Sequence, residues 1–191
     1  MLILGSRLLQ TPVMSLQTGS RLARVSQPII DPANLKIVAY VVEGPLLADK
    51  PSFLRTQDIR EVSSVGMIID DSDELIGLHD VIKIEELYNL GFTLLDTPVI
   101  DENKHKLGKV EDYTVEAGGF VIQQLNIRRG AIRSLTDTGL LVHRNQIIEI
   151  NNDAIVVKST KKKIAQPTMK SERLEYVNPF RAPNPQSEPE G

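Results

Sequence analysis

The chain has 191 residues, 41% hydrophobic and 25% charged but only 4% aromatic, with no Trp. That balance supports a packed core made mainly of Val, Ile and Leu, whose β-branched members favour strands. The lack of Cys excludes disulfides, thiolate metal sites and a cysteine nucleophile, and it fits a cytoplasmic location.

The opening MLILGSRLLQ has an apolar run too short for a signal-peptide core or a membrane span. A first group of short Val/Ile-rich runs follows: LLQTPVMS (Leu8–Ser15), RLARV (Arg21–Val25), LKIVAYVVEG (Leu35–Gly44) and IREVSSVGMIID, which turns at Ser63–Gly66. The acidic run DDSDE (Asp70–Glu74) invites a calcium-loop reading. It fails on position: Leu75 or Ile76 falls where Gly is needed, and Val81 or Ile82 where the bidentate Glu belongs. A solvated hairpin turn is expected instead.

Between the groups lies DELIGLHDVIKIEELYNLGF. Asp80 would cap a short helix running to Asn89, with Gly91 as its stop and Val81, Ile84 and Tyr88 on one face. A strand continuing through Val81–Ile84 is the alternative. The second group then runs from TLLDTPVID (Thr93–Asp101) through KLGKV (Lys106–Val110) and FVIQQLNIRR (Phe120–Arg129) to RNQIIEINNDAIVVK (Arg144–Lys158). Its last segment reads as a hairpin around Asn151-Asn152-Asp153, residues that tolerate left-handed backbone. Leu135 and its polar surroundings read as a loop or a single helical turn.

The two groups align collinearly. Thr11-Pro12-Val13 falls on Thr97-Pro98-Val99, and RLARV on KLGKV. Leu22/Leu107, Val25/Val110, Ile59/Ile147, Val62/Ile150, Met67/Ile155 and Ile69/Val157 match as apolar positions. Length changes fall only in turn-like sequence, where insertions are tolerated. An internal duplication accounts for this, each copy being a small all-β unit whose closure into a barrel would remove exposed strand edges. Gly108, aligned with Ala23, marks a bulge or a sharp strand bend. Val110 and Ile147 are expected in the core.

From Ser159 the pattern stops. The Lys-rich, then Pro-rich tail holds six basic and four acidic residues, a charge of +2, so within the net −3 of the whole chain the body carries −5. An acidic body argues against a broad nucleic-acid face. The tail has one apolar island, LEYVNPF (Leu174–Phe180), and is expected to be disordered.

The stretch TPVIDENKHKLGKVEDYTVEAGGFVIQQLNI, followed by LLVHRNQIIEINNDAIVVK, resembles the PRC-barrel family. That family is named from the photosynthetic reaction centre H subunit and also forms the C-terminal domain of a ribosome-maturation factor. The second copy carries the motif as Leu107-Gly108-Lys109-Val110-Glu111-Asp112. The first departs from it, with Ala23, Arg24 and Gln27 at the places of Gly108, Lys109 and Asp112. The resemblance spans roughly residues 8–158. It implies an all-β fold of two tandem small PRC-like β-barrels: repeat 1 over 1–78, a linking helix over 79–91, repeat 2 over 92–158 and a disordered tail over 159–191. It also implies a non-enzymatic protein that binds a partner or braces an assembly. Neither the N-terminal domain of the ribosome factor nor the transmembrane helix of the H subunit has a match in this sequence.

The candidate chemistry is sparse. His79, His105 and His143 lack any metal-ligand spacing, and no nucleotide-binding or nucleophile-elbow motif occurs. No catalytic residue, cofactor or metal is therefore expected. Arg128, Arg129, Arg133 and Arg144 form a candidate basic patch for an anion or a partner. A protein-interaction or scaffold module is the first expectation. An RNA- or ribosome-associated assembly factor is the alternative, weakened by the scarcity of aromatics for stacking bases.

Overall fold

Alternating burial marks the strands. Along residues 21–28 and Lys106–Glu116 buried positions are apolar and the exposed ones mostly charged, the period-two pattern of a sheet with one buried face. The first strand ends in three buried residues, Ile29, Ile30 and Asp31. A computed structural model of the chain describes residues 1–45, 47–129, 139–151 and 153–159; the expectations for Leu135, Asn152 and the tail beyond Ser159 lie outside these residues. Met1–Ser159 form one compact unit.

The first half comprises β1 (Leu2–Leu4), α1 (Gly5–Leu8), β2 (Pro12–Ser15), β3 (Arg21–Asp31), β4 (Lys36–Glu43) and β5 (Ser52–Arg55). A 3₁₀ turn (Thr56–Asp58), β6 (Glu61–Ser63), β7 (Gly66–Ile69), a second 3₁₀ turn (Ser72–Glu74) and β8 (Leu75–Gly77) follow. After α2 (Ile82–Leu90) come β9 (Pro98–Asp101), β10 (Lys106–Glu116), β11 (Val121–Arg128) and β12 (Leu140–His143). A 3₁₀ turn (Arg144–Gln146), β13 (Ile147–Ile150) and β14 (Ile155–Val157) complete the described residues. The fold is mostly β, with two α-helices among the described residues.

The pairing in the two halves follows one scheme. β2 pairs antiparallel with β3 and parallel with β7, as β9 does with β10 and β14. β3–β4–β5 and β10–β11–β12 are antiparallel runs, and hairpins join β6 to β7 and β13 to β14. Register breaks fall at matching places, between Val25 and Gln27 and between Val110 and Asp112. Left-handed backbone recurs in pairs: Gln10 (φ 60°) with Asp96 (61°), Gly19 (67°) with Lys104 (63°), and Leu35 (46°) with Phe120 (54°). The aligned apolar positions agree in burial: Val25/Val110, Met67/Ile155 and Ile69/Val157 are buried, while Leu22/Leu107, Ile59/Ile147 and Val62/Ile150 are half-buried.

Closure into two barrels was the expectation, and the hydrogen bonding does not complete it. A single open path runs β13-β14-β9-β10-β11-β4-β3-β2-β7-β6. Its middle link is short: Val121 stands opposite Lys36, flanked by Ile37 N–H donating to the Phe120 carbonyl at 2.9 Å and Ile122 N–H to that of Leu35 at 2.8 Å. One core runs across this link, from Val13, Tyr40 and Met67 to Leu125, Val142 and Ile155. A smaller cluster of Ile29, Ala39, Phe53 and Ile84 seats α2 on the first half.

α2 takes up the helical reading of the linker, and Gly91 stops it in left-handed backbone (φ 62°). Its cap differs from expectation. Val81 is the N-cap, because the Asp80 carboxylate instead accepts from Gly77 N–H at 2.7 Å, closing the turn after β8. Ile147, expected in the core, is half-buried beside it. Its strand lies at the end of the sheet path, with neighbours on one side only.

Gly108 (φ 150°) sits beside a register break, and a Cβ there would lie 2.2 Å from the Arg128 carbonyl oxygen. In the first half the same crossing is opened from the other strand, where a Cβ on Gly44 would meet the Leu22 carbonyl at 2.7 Å. Each crossing therefore holds one glycine, on opposite strands. Gly108→Ala should cost about 2 kcal/mol or more, combining a Gly-only backbone conformation with a backbone clash. Ile155→Ala should cost about 2–5 kcal/mol, and Ile147→Ala less. Urea unfolding of the three variants checks the order.

Candidate functional site

The arginines expected to form a patch are not all brought together. Arg128 ends β11 and pairs with Asp96 at 3.5 Å, and Arg129 beside it is half-buried. Arg144 follows β12, its guanidinium donating to the Asn34 carbonyl at 3.3 Å. Ile127 stands opposite Leu140 and Gln124 opposite His143, so the length of β12 separates Arg128 from Arg144, about 13 Å at strand rise. Arg133 lies outside the described residues.

The carboxylates and histidines are engaged in local turns. Asp101, only 3% exposed, accepts from Asn103 N–H, from His105 N–H and from His105 Nδ1, at 2.9, 2.9 and 3.0 Å. Burial alone would raise its pKa, but these bonds together bring it below 3.8. Asp31 accepts from Ala33 N–H, Asn34 and Lys83; there too burial pushes the pKa up, while the donors and the lysine charge leave it lowered. Glu116 does the equivalent work in the β10–β11 turn, accepting from Gly118 and Gly119 N–H at 2.7 and 2.8 Å. In the acidic run, Asp70 is clamped by Arg60, and Asp71 caps the 3₁₀ turn by accepting from Asp73 N–H at 2.8 Å. Glu74 accepts from Asp70 N–H. His79 meets Glu85 at 3.1 Å, and His143 caps the turn over Arg144–Gln146. Asp71, Asp101, Glu116 and His143 are thus aimed at their own turns, while Asp31, Asp70 and His79 also pair with side chains of neighbouring segments.

Two clefts arise where the halves meet. In the first, of about 430 Å³, the β10–β11 turn (Gly118, Gly119, Phe120) faces Lys36, Arg55 and Gln57, and α2 adds Lys83 at the side. In the second, of about 450 Å³, the β3–β4 turn (Ala33, Asn34, Leu35) faces Arg144, Glu149 and Ile150. Each cleft therefore sets the turn of one half against the other half. Lys36, Arg55 and Lys83 come from three separate elements, and no spacing in the sequence links them. A third space, of about 250 Å³, is lined from both halves by Ser6, Leu9, Pro28, Phe92, Leu95 and Tyr113. Within the core, the Tyr40 hydroxyl lacks a hydrogen-bond partner among the described residues, and burial with Tyr113 nearby raises its pKa well above 10.0.

No protein-family model matches the chain, and no curated protein matches it.

Asp101 and Asp31 have folded pKa values below 3.8. A carboxylate lowered on folding stabilises the fold above its unfolded pKa of about 4 and stops doing so as the pH falls through its folded value. Asp101→Ala should therefore lower Tm at pH 7, with the gap to the parent narrowing toward pH 3. Thermal melts across that range check it; a gap independent of pH would show that the carboxylate charge contributes nothing.

Proposed function

We propose that this chain is a non-enzymatic protein-interaction or scaffold module of the cytoplasm, built from two PRC-barrel-like halves related by internal duplication. The duplication reading is supported by turn devices that recur at aligned positions. Thr11 Oγ1 donates to the Arg7 carbonyl and Thr97 Oγ1 to that of Thr93, at 3.1 and 2.8 Å. The left-handed residues recur with them. The left-handed residues are backbone features, independent of the apolar matches of the alignment.

The observation that carries the interaction reading is how the acidic and imidazole side chains are used. Asp31, Asp71, Asp101, Glu116 and His143 each hold a turn or cap of this chain, and Asp70 pairs with Arg60. Loops so braced suit a rigid surface for a partner. Leu141 and Ile148 remain 55% and 51% exposed on β12 and β13, apolar contacts such a surface can use.

Pull-down of the full chain from native lysate, with and without nuclease, tests this reading. A partner that survives nuclease and is lost with Leu141→Glu or Ile148→Glu is the expected result. Capture that vanishes with nuclease would favour the RNA- or ribosome-associated alternative.

A further inference from the structure

We propose that the cleft between the β10–β11 turn, β4 and α2 is a binding site for a small organic oxyanion, a phosphate or carboxylate compound. The charged residues lining it are Lys36, Arg55 and Lys83, all cationic. On a chain with net charge −3, this local sign runs against the whole.

The neighbouring carboxylates leave donors available. Asp31 takes one bond from the Lys83 ammonium, at 3.1 Å, and an ammonium has three hydrogens to give. Asp58 takes Nε and one Nη2 hydrogen of Arg55, out of five guanidinium hydrogens. The pairs are turned with the cation outward: the Lys83 side chain is 63% exposed against 9% for Asp31, and that of Arg55 33% against 14% for Asp58. Glu116 is occupied with the turn amides of Gly118 and Gly119. Lys36 is exposed and has no ion pair or hydrogen bond through its side chain among the described residues. Oxyanions are recognised by such convergent, charge-assisted donors, and about 430 Å³ is the scale of a small-molecule site.

The second cleft serves as an internal control. It is of similar size and formed by the aligned turn, but Arg144 shares its lining with Glu149, and Val121 stands where the first half has Lys36. The aligned turns produce two clefts, and only the one that α2 also lines has charged residues of a single sign.

Isothermal titration of the full chain with pyrophosphate and, separately, with citrate tests the assignment. Saturable binding of either at low salt, weakening as salt screens the cleft, is expected, and the better probe identifies the source chemistry. Lys36→Glu replaces a side chain without structural bonds, so the variant should fold as the parent does and bind about tenfold or more weakly, the scale of one charge-assisted contact. Lys83→Gln should weaken binding as well, and Arg144→Gln should leave it unchanged. Absence of saturable binding to both probes would overturn the proposal. So would binding that Lys36→Glu leaves intact, or that Arg144→Gln abolishes. These readouts are independent of the pull-down, so either reading can fail alone.

Discussion

The two halves are joined into one sheet at two places: by the β1–β10 ladder, where Leu2–Leu4 run antiparallel to residues 114–116, and by two backbone hydrogen bonds, from Ile37 N–H to Phe120 and from Ile122 N–H to Leu35. Their acceptors belong to residues held in left-handed backbone, Leu35 at φ 46° and Phe120 at φ 54°. That conformation costs a side-chain-bearing residue about 1–2 kcal/mol. Both side chains are nonetheless buried, to 6% and 5% exposure, and burying a Leu or Phe returns about 1.5–3 kcal/mol. Burial outweighs the strain, so the turns stay curled against the opposite half and the shared core forms across them.

The exchange is reciprocal: each turn gives its carbonyl to the strand that follows the other turn. This is the isologous pattern of a two-fold dimer, here within one chain. It places each turn over the face of the opposite half and so creates both clefts. α2 and β8 then break the equivalence. β8 pairs with β5, and α2 covers the cluster around Phe53, whose ring meets Tyr88 edge-on at 5.3 Å. Lys83 reaches the first cleft because α2 is seated there.

Much of this was legible in the sequence because it is local. Strand period, turn residues and the Gly91 stop act over a few positions, and the aligned apolar residues reach the same burial in both halves. The joining of the halves was not legible, since the pairing of Lys36 with Val121 is a long-range contact between two turns that differ in sequence, Asp31-Pro32-Ala33-Asn34 and Glu116-Ala117-Gly118-Gly119. Asp80 could cap a helix or close the preceding turn, and composition does not choose between them. Arg128 and Arg144 stand apart because the four residues of β12 lie between them along the strand direction. The cationic cleft had the opposite difficulty. Its residues are far apart in sequence and near in space.

The glycine crossings show how much the halves can differ while keeping one geometry. The close approach at the start of β3 and of β10 is met by Gly44 in the first case and Gly108 in the second, from opposite strands. The constraint is on the space between two backbones, and either strand can supply it. The same logic separates scaffold from site. Turn devices at Ser15 and Asp101, or at Asp31 and Glu116, use different side chains to hold the same amides, so the backbone course persists through substitution. What distinguishes the first cleft from the second is then the lining side chains, Lys36 among them, together with α2, which supplies Lys83 and has no counterpart in the second half among the described residues. The backbone scheme is common to both halves, and any selectivity for a ligand has to come from these departures.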